Sequence, residues 1–183
     1  MHTPGVALID QIAALPYRRD ADGVVRVLLI TSRDTKRWVV PKGNPIRGLT
    51  SHLAAEREAF EEAGITGTAS PVALGRFRYV KRRRNGAVIT LTVAVFPMEF
   101  AEQMQDWPEK GQRECRWFSV AEAADAVDEP DLRALILGFQ PLGGQPVAAA
   151  PTAQAMAVPM WRRPLALGVI GLALLLVVAL LAG

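Results

Sequence analysis

The chain has 183 residues, of which 50% are hydrophobic, and a formal net charge of +3. This length suits one globular domain with an appendage, because domains commonly contain roughly 100–200 residues. The single cysteine, Cys115, excludes an intrachain disulfide and favours a reducing compartment. Residues 1–5 include no basic residue, and no apolar run of signal-peptide length follows them, so export is not expected. The small positive charge favours anionic partners such as nucleotides, phosphates or acidic lipid.

Five short apolar segments predict β-strands. In chain order they are Gln11–Tyr17, Val24–Thr31, Trp38–Val40, Gly75–Val80 and Val88–Phe96. The last segment alternates: Ile89, Leu91, Val93 and Val95 fall on one face and their neighbours on the other, as in a strand with one buried side. Two dipeptides, Asp22-Gly23 and Asn85-Gly86, are typical of hairpin turns.

Three segments predict helices, at Thr50–Ala63, Val120–Ala126 and Asp131–Phe139. Thr50 or Ser51 can cap the first helix, and Gly64 can end it in the left-handed conformation. Strands and helices in this order are typical of the α/β (α+β) class, in which a mixed sheet carries helices on its faces.

Composition divides the chain into three parts: a globular domain over residues 5–140, a flexible linker rich in Pro and Ala over 141–160, and an apolar tail over 161–183. Leu165 to Gly183 form a run of nineteen residues without a charge, which at about 1.5 Å per residue nearly spans a hydrocarbon layer of about 30 Å. Trp161, Arg162 and Arg163 precede it, which predicts a single-pass C-terminal membrane anchor with the domain in the cytoplasm. The alternative is a core helix or an oligomer contact.

Three glutamates share one face of the first predicted helix. At about 100° per residue, Glu58, Glu61 and Glu62 fall within an arc of roughly 100°, where they repel one another unless a cation lies between them. Carboxylate oxygens suit Mg²⁺ or Mn²⁺, and such ions neutralise charge during phosphoryl transfer. The alternative is an exposed acidic helix face without a ligand.

This segment resembles a known family motif. The run from Arg57 to Ile65, REAFEEAGI, with Gly43 ahead of it, is similar to the Nudix box, written G-x5-E-x7-R-E-U-x-E-E-x-G-U. The segments TSR (31–33), RWVVPKG (37–43), DW (106–107) and RWF (116–118) resemble the diphosphoinositol polyphosphate phosphohydrolase branch of that family. The similarity covers Gln11 to Phe139. One departure is Leu49, which stands where the box has its first glutamate.

The resemblance implies a Nudix-type mixed sheet sandwiched between helices and a Mg²⁺ cofactor, with Mn²⁺ as the alternative. It implies a metal site made of Glu58, Glu62, Glu61 and Gly43, with Glu61 or Glu58 as the base and Arg57 orienting a glutamate. A glycine at position 43 lets the backbone approach a metal or phosphate closely. Two loop residues ahead of Trp117, Glu109 and Glu114, are further candidate ligands.

Basic residues that could bind a polyphosphate substrate are Arg33, Lys42, Arg82, Arg83 and Arg84. The run from Lys81 to Arg84 could equally be a solvated turn or a patch that contacts anionic lipid. The first hypothesis for function is Mg²⁺-dependent hydrolysis of a phosphoanhydride bond in a diadenosine polyphosphate, a diphosphoinositol polyphosphate or another nucleoside diphosphate derivative. A binding module that has lost catalysis is the second, with Leu49 as its mark. Nucleic-acid end processing is the third and least favoured, and the oligomeric state stays open.

Overall fold

The computed structural model describes residues 11–82, 86 and 88–141, apart from the side chains of Lys81, Arg82 and Val88. Within these residues the chain forms eight strands and three helices. The strands are β1 (Gln11–Arg19), β2 (Val25–Thr31), β3 (Trp38–Val39), β4 (Lys42–Gly43), β5 (Ile65–Ala69), β6 (Gly75–Arg82), β7 (Val88–Gln103) and β8 (Cys115–Ser119). The helices are α1 (Ser51–Ala63), α2 (Val120–Ala126) and α3 (Pro130–Leu137).

The sheet is mixed, as predicted. Its main path is β3-β2-β1-β7-β5, while β4 pairs with β1, β6 with β7 and β8 with β2. The β1–β7 pairing is parallel, and the other pairings of named strands are antiparallel. Gly43 of β4 lies opposite Ile12 of β1, so the chain passes the centre of the sheet shortly before α1 begins.

Helices cover both faces of the sheet, which gives the domain two apolar cores. One core joins alternate residues of β1 and β7 to α2 and α3, and it includes Ala13, Leu15, Val93, Val95, Ala123, Leu132 and Ile136. The other joins the intervening residues to α1, and it includes Ile12, Ala14, Ala94, Phe96, Ala55 and Ala59. The prediction of one buried side for Val88–Phe96 is therefore wrong: residues 93–96 are all buried, because both faces are covered.

Two predictions about the ends of α1 have different outcomes. Gly64 ends the helix in the left-handed conformation, with φ of 68°, and its N–H donates to the carbonyls of Ala59 and Phe60. Thr50 occupies the N-cap position, but its side chain makes no capping hydrogen bond. Its hydroxyl lies 3.2 Å from Nδ1 of His52 instead. Ser51 is the first helical residue and not the cap.

Several predictions fall outside the described residues. These are the linker beyond Pro141, the apolar tail over 161–183, and the side chains of Arg82, Arg83 and Arg84. Across the part of the chain that the structure describes, no helix combines the length and apolarity needed to cross a membrane.

Candidate metal and phosphate site

Gly43 and Glu58 meet at the start of the site. The Glu58 carboxylate lies so close to the Gly43 backbone that a Cβ built on Gly43 would overlap it. Gly43 is placed there by its pairing with Ile12, and Glu58 lies in the middle of α1. The lack of a side chain at position 43 therefore creates the space that the carboxylate fills.

The pKa of Glu58 is raised from 4.5 to about 7. Burial is the main cause, followed by the negative charges of Glu62, Glu61 and Glu109, while Arg113 opposes the shift. Burial disfavours the charged form, and like charges nearby disfavour it further. The site thus concentrates negative charge where a cation would relieve repulsion.

Glu62 is buried and held from two sides. One of its oxygens, Oε2, accepts a hydrogen bond from the backbone N–H of Lys42 at 2.9 Å. The other, Oε1, accepts from the guanidinium of Arg113. Burial raises the pKa of Glu62 above its usual range, and the Lys42 N–H and Arg113 partly offset that rise.

Glu61 lies farther out on the same helix face. Its Oε1 accepts a hydrogen bond from Nε of Arg57 at 2.6 Å, one turn earlier. An arginine at this spacing fixes the direction of the carboxylate. The geometry agrees with the predicted pairing of Arg57 with a box glutamate.

A loop brings a fourth carboxylate to the helix. The backbone N–H of Glu109 donates to the carbonyl of Glu61 at 3.0 Å, which ties this loop to α1. The Glu109 side chain accepts from Arg113 at 2.8 Å and pairs with Arg33 at 3.4 Å. Of the two loop candidates, Glu109 therefore belongs to the cluster, whereas Glu114 is exposed.

The carboxylates suit a divalent cation in kind. Oxygen donors are the ligands that Mg²⁺ prefers, and the bare backbone of Gly43 lets the Glu58 carboxylate lie against it. Nevertheless, across residues 11–82, 86 and 88–141, no three His, Cys, Asp or Glu side chains are gathered into a group that could hold a metal ion. Two of the carboxylates, Glu62 and Glu109, are bonded to Arg113.

A known domain family matches most of this chain. The NUDIX domain matches residues 10–137, well over half of the chain. The chain belongs to the Nudix family.

Individual relatives agree with that assignment. Nudix hydrolase 21, a chloroplastic protein of Arabidopsis thaliana, is 30% identical over 131 residues, which are 70% of this chain and 64% of that protein. Diphosphoinositol polyphosphate phosphohydrolase 3-beta of Bos taurus is 31% identical over 147 residues, which are 76% of this chain and 85% of that protein. This chain thus spans less than two thirds of the plant relative's length.

A solved structure shares the fold. The C. elegans Ap4A hydrolase binary complex matches with a TM-score of 0.53 at 22% identity, over 71% of this chain and 93% of that chain. The predicted Nudix-type fold is confirmed for the domain.

Leu49, in the place of the first glutamate of the Nudix box, packs against apolar residues. Its side chain is partly buried against the core that contains Ala55 and Ala59. Its N–H donates to the carbonyl of Ile46 at 3.1 Å, which closes a turn ahead of α1. At this position the chain has a packing residue in place of a ligand.

The predicted phosphate-binding residues are not equally placed. The cluster of Gly43, Glu58, Glu61, Glu62 and Glu109 is called the Nudix site below. Arg33 lies at its edge, where it contacts Glu109, and the Arg33 side chain is 60% exposed. Lys42 contributes its backbone N–H to Glu62, and its ammonium lies 5.1 Å from the centre of the Tyr79 ring.

The three tryptophans that the structure describes serve mainly in packing. Trp38 meets Phe118 edge to face at 5.0 Å between ring centres. Trp117 meets Phe100 in the same way at 5.2 Å. Trp107 lies against Gly64, where a Cβ would come within 2.5 Å of its ring.

Sequence reasoning missed Arg113. Its side chain is 7% exposed and contacts two carboxylates of the Nudix site. One weak signal precedes it: Glu109 stands four residues earlier, a spacing that allows an ion pair within a turn. Nothing in the sequence indicated that Arg113 pairs with Glu62, which is 51 residues away.

Proposed function

We propose that the protein hydrolyses a phosphoanhydride bond in an anionic substrate and uses Mg²⁺, or Mn²⁺, as its cofactor. The observation that carries the proposal is the Glu58 carboxylate against the bare backbone of Gly43, with the charges of Glu62 and Glu109 near enough to raise its pKa, within a domain of the Nudix family. A divalent ion bound by these carboxylates would neutralise negative charge on the phosphate oxygens.

In the proposed reaction, a water oxygen attacks phosphorus and the phosphorus–oxygen bond of the anhydride breaks. The electron pair leaves with the departing phosphate, and a carboxylate takes the proton of the water. Two candidates for this base are supported differently. Glu61 is oriented by Arg57, whereas Glu58 lies against the Gly43 backbone and would also be a ligand of the cation.

The substrate class follows from the charges at the edge of the site. Arg33 and Lys42 can bind phosphate oxygens, and arginine offers paired donors for this purpose. Two relatives are named for diphosphoinositol polyphosphate and Ap4A substrates. We propose a dinucleoside polyphosphate or a diphosphoinositol polyphosphate as the substrate of this chain.

Replacement of Glu62 by Gln tests the proposal. It keeps the shape of the side chain but removes its charge, so turnover of diadenosine tetraphosphate and of a diphosphoinositol polyphosphate by the full chain at millimolar Mg²⁺ should fall by at least about a hundredfold. Released phosphate or nucleotide is measured by chromatography. Glu102→Gln is the matched control, because Glu102 is exposed on β7.

Two outcomes contradict the proposal. Equal turnover by wild type and Glu62→Gln removes this carboxylate from catalysis. Binding of either substrate by wild type without product, at millimolar Mg²⁺ and Mn²⁺, would identify a binding module, for which Leu49 is the sequence feature.

The apolar tail carries a separate proposal about location. The uncharged run from Leu165 to Gly183, with Trp161 and two arginines before it, supports a single-pass C-terminal anchor that keeps the domain in the cytoplasm. The substrate would then be hydrolysed at a membrane surface.

A further inference from the structure

The Arg113 guanidinium lies between the carboxylates of Glu62 and Glu109, not at the edge of the site. Its Nη2 donates to Glu62, its Nε donates to Glu109 at 2.8 Å, and its Nη1 donates to the backbone carbonyl of Thr31 at 3.1 Å. With 7% of its side chain exposed, the guanidinium is held by three acceptors from three separate parts of the chain.

The contacts of Arg113 use atoms that a cation would need. Glu62 offers two oxygens, of which Oε2 accepts from the Lys42 N–H and Oε1 from Arg113. Both oxygens are thus engaged by hydrogen-bond donors. Each carboxylate oxygen has a second lone pair, but a divalent ion that binds Glu62 beside Glu58 brings positive charge next to the guanidinium, so repulsion favours breaking the bond to Arg113. The backbone N–H is fixed by the pairing of β4 with β1, whereas an arginine side chain can rotate.

Charge favours the same conclusion. Positive charge between Glu62 and Glu109 relieves part of the repulsion that raises the pKa of Glu58. A guanidinium and a divalent ion at this point repel each other and compete for the same carboxylates. Leu49 supplies no carboxylate in compensation.

We propose that Arg113 is a built-in counter-ion that competes with the divalent cation for Glu62, and that its guanidinium leaves Glu62 when the cation binds. The inference rests on the proposed function for the existence of the cation. In the absence of the ion, Arg113 holds the carboxylates together. Its presence sets the cation concentration at which the site fills.

Arg113→Gln tests the competition without an activity assay. In the full chain, kept in mild detergent, the dissociation constant for Mn²⁺ should fall by at least about tenfold, measured from the electron paramagnetic resonance signal of free Mn²⁺. In chelator, the melting temperature should fall by about 5 °C, because the buried Glu62 and the partly buried Glu109 lose their partner. Arg116→Gln is the matched control: Arg116 lies on β8 over the Phe118 ring, and its loss should leave Mn²⁺ affinity unchanged.

A second measurement uses the wild type, so that it does not depend on the folding of the variant. The Nε–H resonance of Arg113, assigned through its connectivity to the backbone of Arg113, should shift or broaden on titration with Mg²⁺, whereas the resonances of arginines outside the site should not. Unchanged or weaker Mn²⁺ binding by Arg113→Gln, or an Arg113 resonance unmoved at saturating Mg²⁺, overturns the inference while hydrolysis by wild type stands. If wild type binds neither ion, the metal-dependent function fails together with it.

Discussion

Glu58 shows how a single carboxyl is adjusted by its surroundings. Burial, together with the charges of Glu62, Glu61 and Glu109, raises its pKa to about 7. Each neighbour that disfavours the free carboxylate is also one that a cation would stabilise, because opposite charge at short range favours the ionised form. The affinity of such a site for a cation therefore depends on how closely the carboxylates are held.

Gly43 controls that closeness, and Gly43→Ala tests it. The new Cβ would overlap the Glu58 carboxylate, which must then move away from the backbone. The affinity for Mn²⁺ should fall by about 10–100-fold, the usual cost of disturbing a ligand's support. The dissociation constant for Mn²⁺ is measured on the full chain from the electron paramagnetic resonance signal of free Mn²⁺.

The matched control is Gly138→Ala after α3, where φ is −80° and the nearest atom to a new Cβ is a carbonyl oxygen at 3.3 Å. Affinity for Mn²⁺ should stay at the wild-type value there. If the Gly43→Ala variant binds Mn²⁺ as tightly as wild type, the position of Glu58 does not depend on the missing side chain.

The starts of α1 and α2 differ in how they are capped, which allows a prediction at the scale of an element. In α2, the hydroxyl of Ser119 accepts from the N–H of Glu122 at 3.3 Å, and the Glu122 carboxylate accepts from the N–H of Ser119 at 2.9 Å. Ser119→Ala removes one half of this capping box, so the free energy of unfolding should fall by about 1 kcal/mol. Urea denaturation of the full chain measures the change.

Thr50→Ala is the comparison, since Thr50 stands at the N-cap of α1 without a side-chain capping bond. The free energy of unfolding should change by less than about 0.5 kcal/mol. Equal losses in the two variants would mean that the bond of Ser119 contributes nothing beyond the N-cap position itself.

The elements that the sequence predicted correctly are those with a local cause. Helix α1 places Glu58, Glu61 and Glu62 together through its own period, and Gly64 ends it through its own conformational freedom. These features need no distant partner, so a one-dimensional pattern contains them.

The elements that were missed depend on pairing across the chain. Strand β4 has two residues and exists through its contact with Ile12 and Ala13 of β1. Strand β5 contains Gly67, where a Cβ would overlap the Glu99 carbonyl of β7. The glycine is therefore needed because β5 and β7 lie close together, and it does not form a turn. Arg113 enters the site for the same reason, through a partner 51 residues away. Such contacts are set by tertiary structure, which composition and period do not encode.

At the scale of the whole domain, the covered sheet explains why the carboxylates gather at one place. Both faces of β1 are buried, by α1 on one side and by α2 and α3 on the other. Polar groups can gather only where the apolar cores end. The segment from β4 to α1 lies at that limit, and the N–H of Glu109 in the neighbouring loop donates to the Glu61 carbonyl of α1.

The final prediction concerns the chain as a whole and its apolar tail. Leu174→Arg with Leu175→Arg puts two charges in the middle of the run, at a cost of about 2.5–3.5 kcal/mol each in a membrane. When expressed in cells, the full chain should sediment with membranes, resist extraction by alkaline carbonate and dissolve only when detergent is added. The double variant should stay in the supernatant without detergent. Ala148→Arg with Ala149→Arg adds the same charge to the linker and should leave the wild-type behaviour intact. If wild type and the tail variant fractionate alike, the tail is no anchor, and any link between hydrolysis and a membrane surface fails while the catalytic proposal remains.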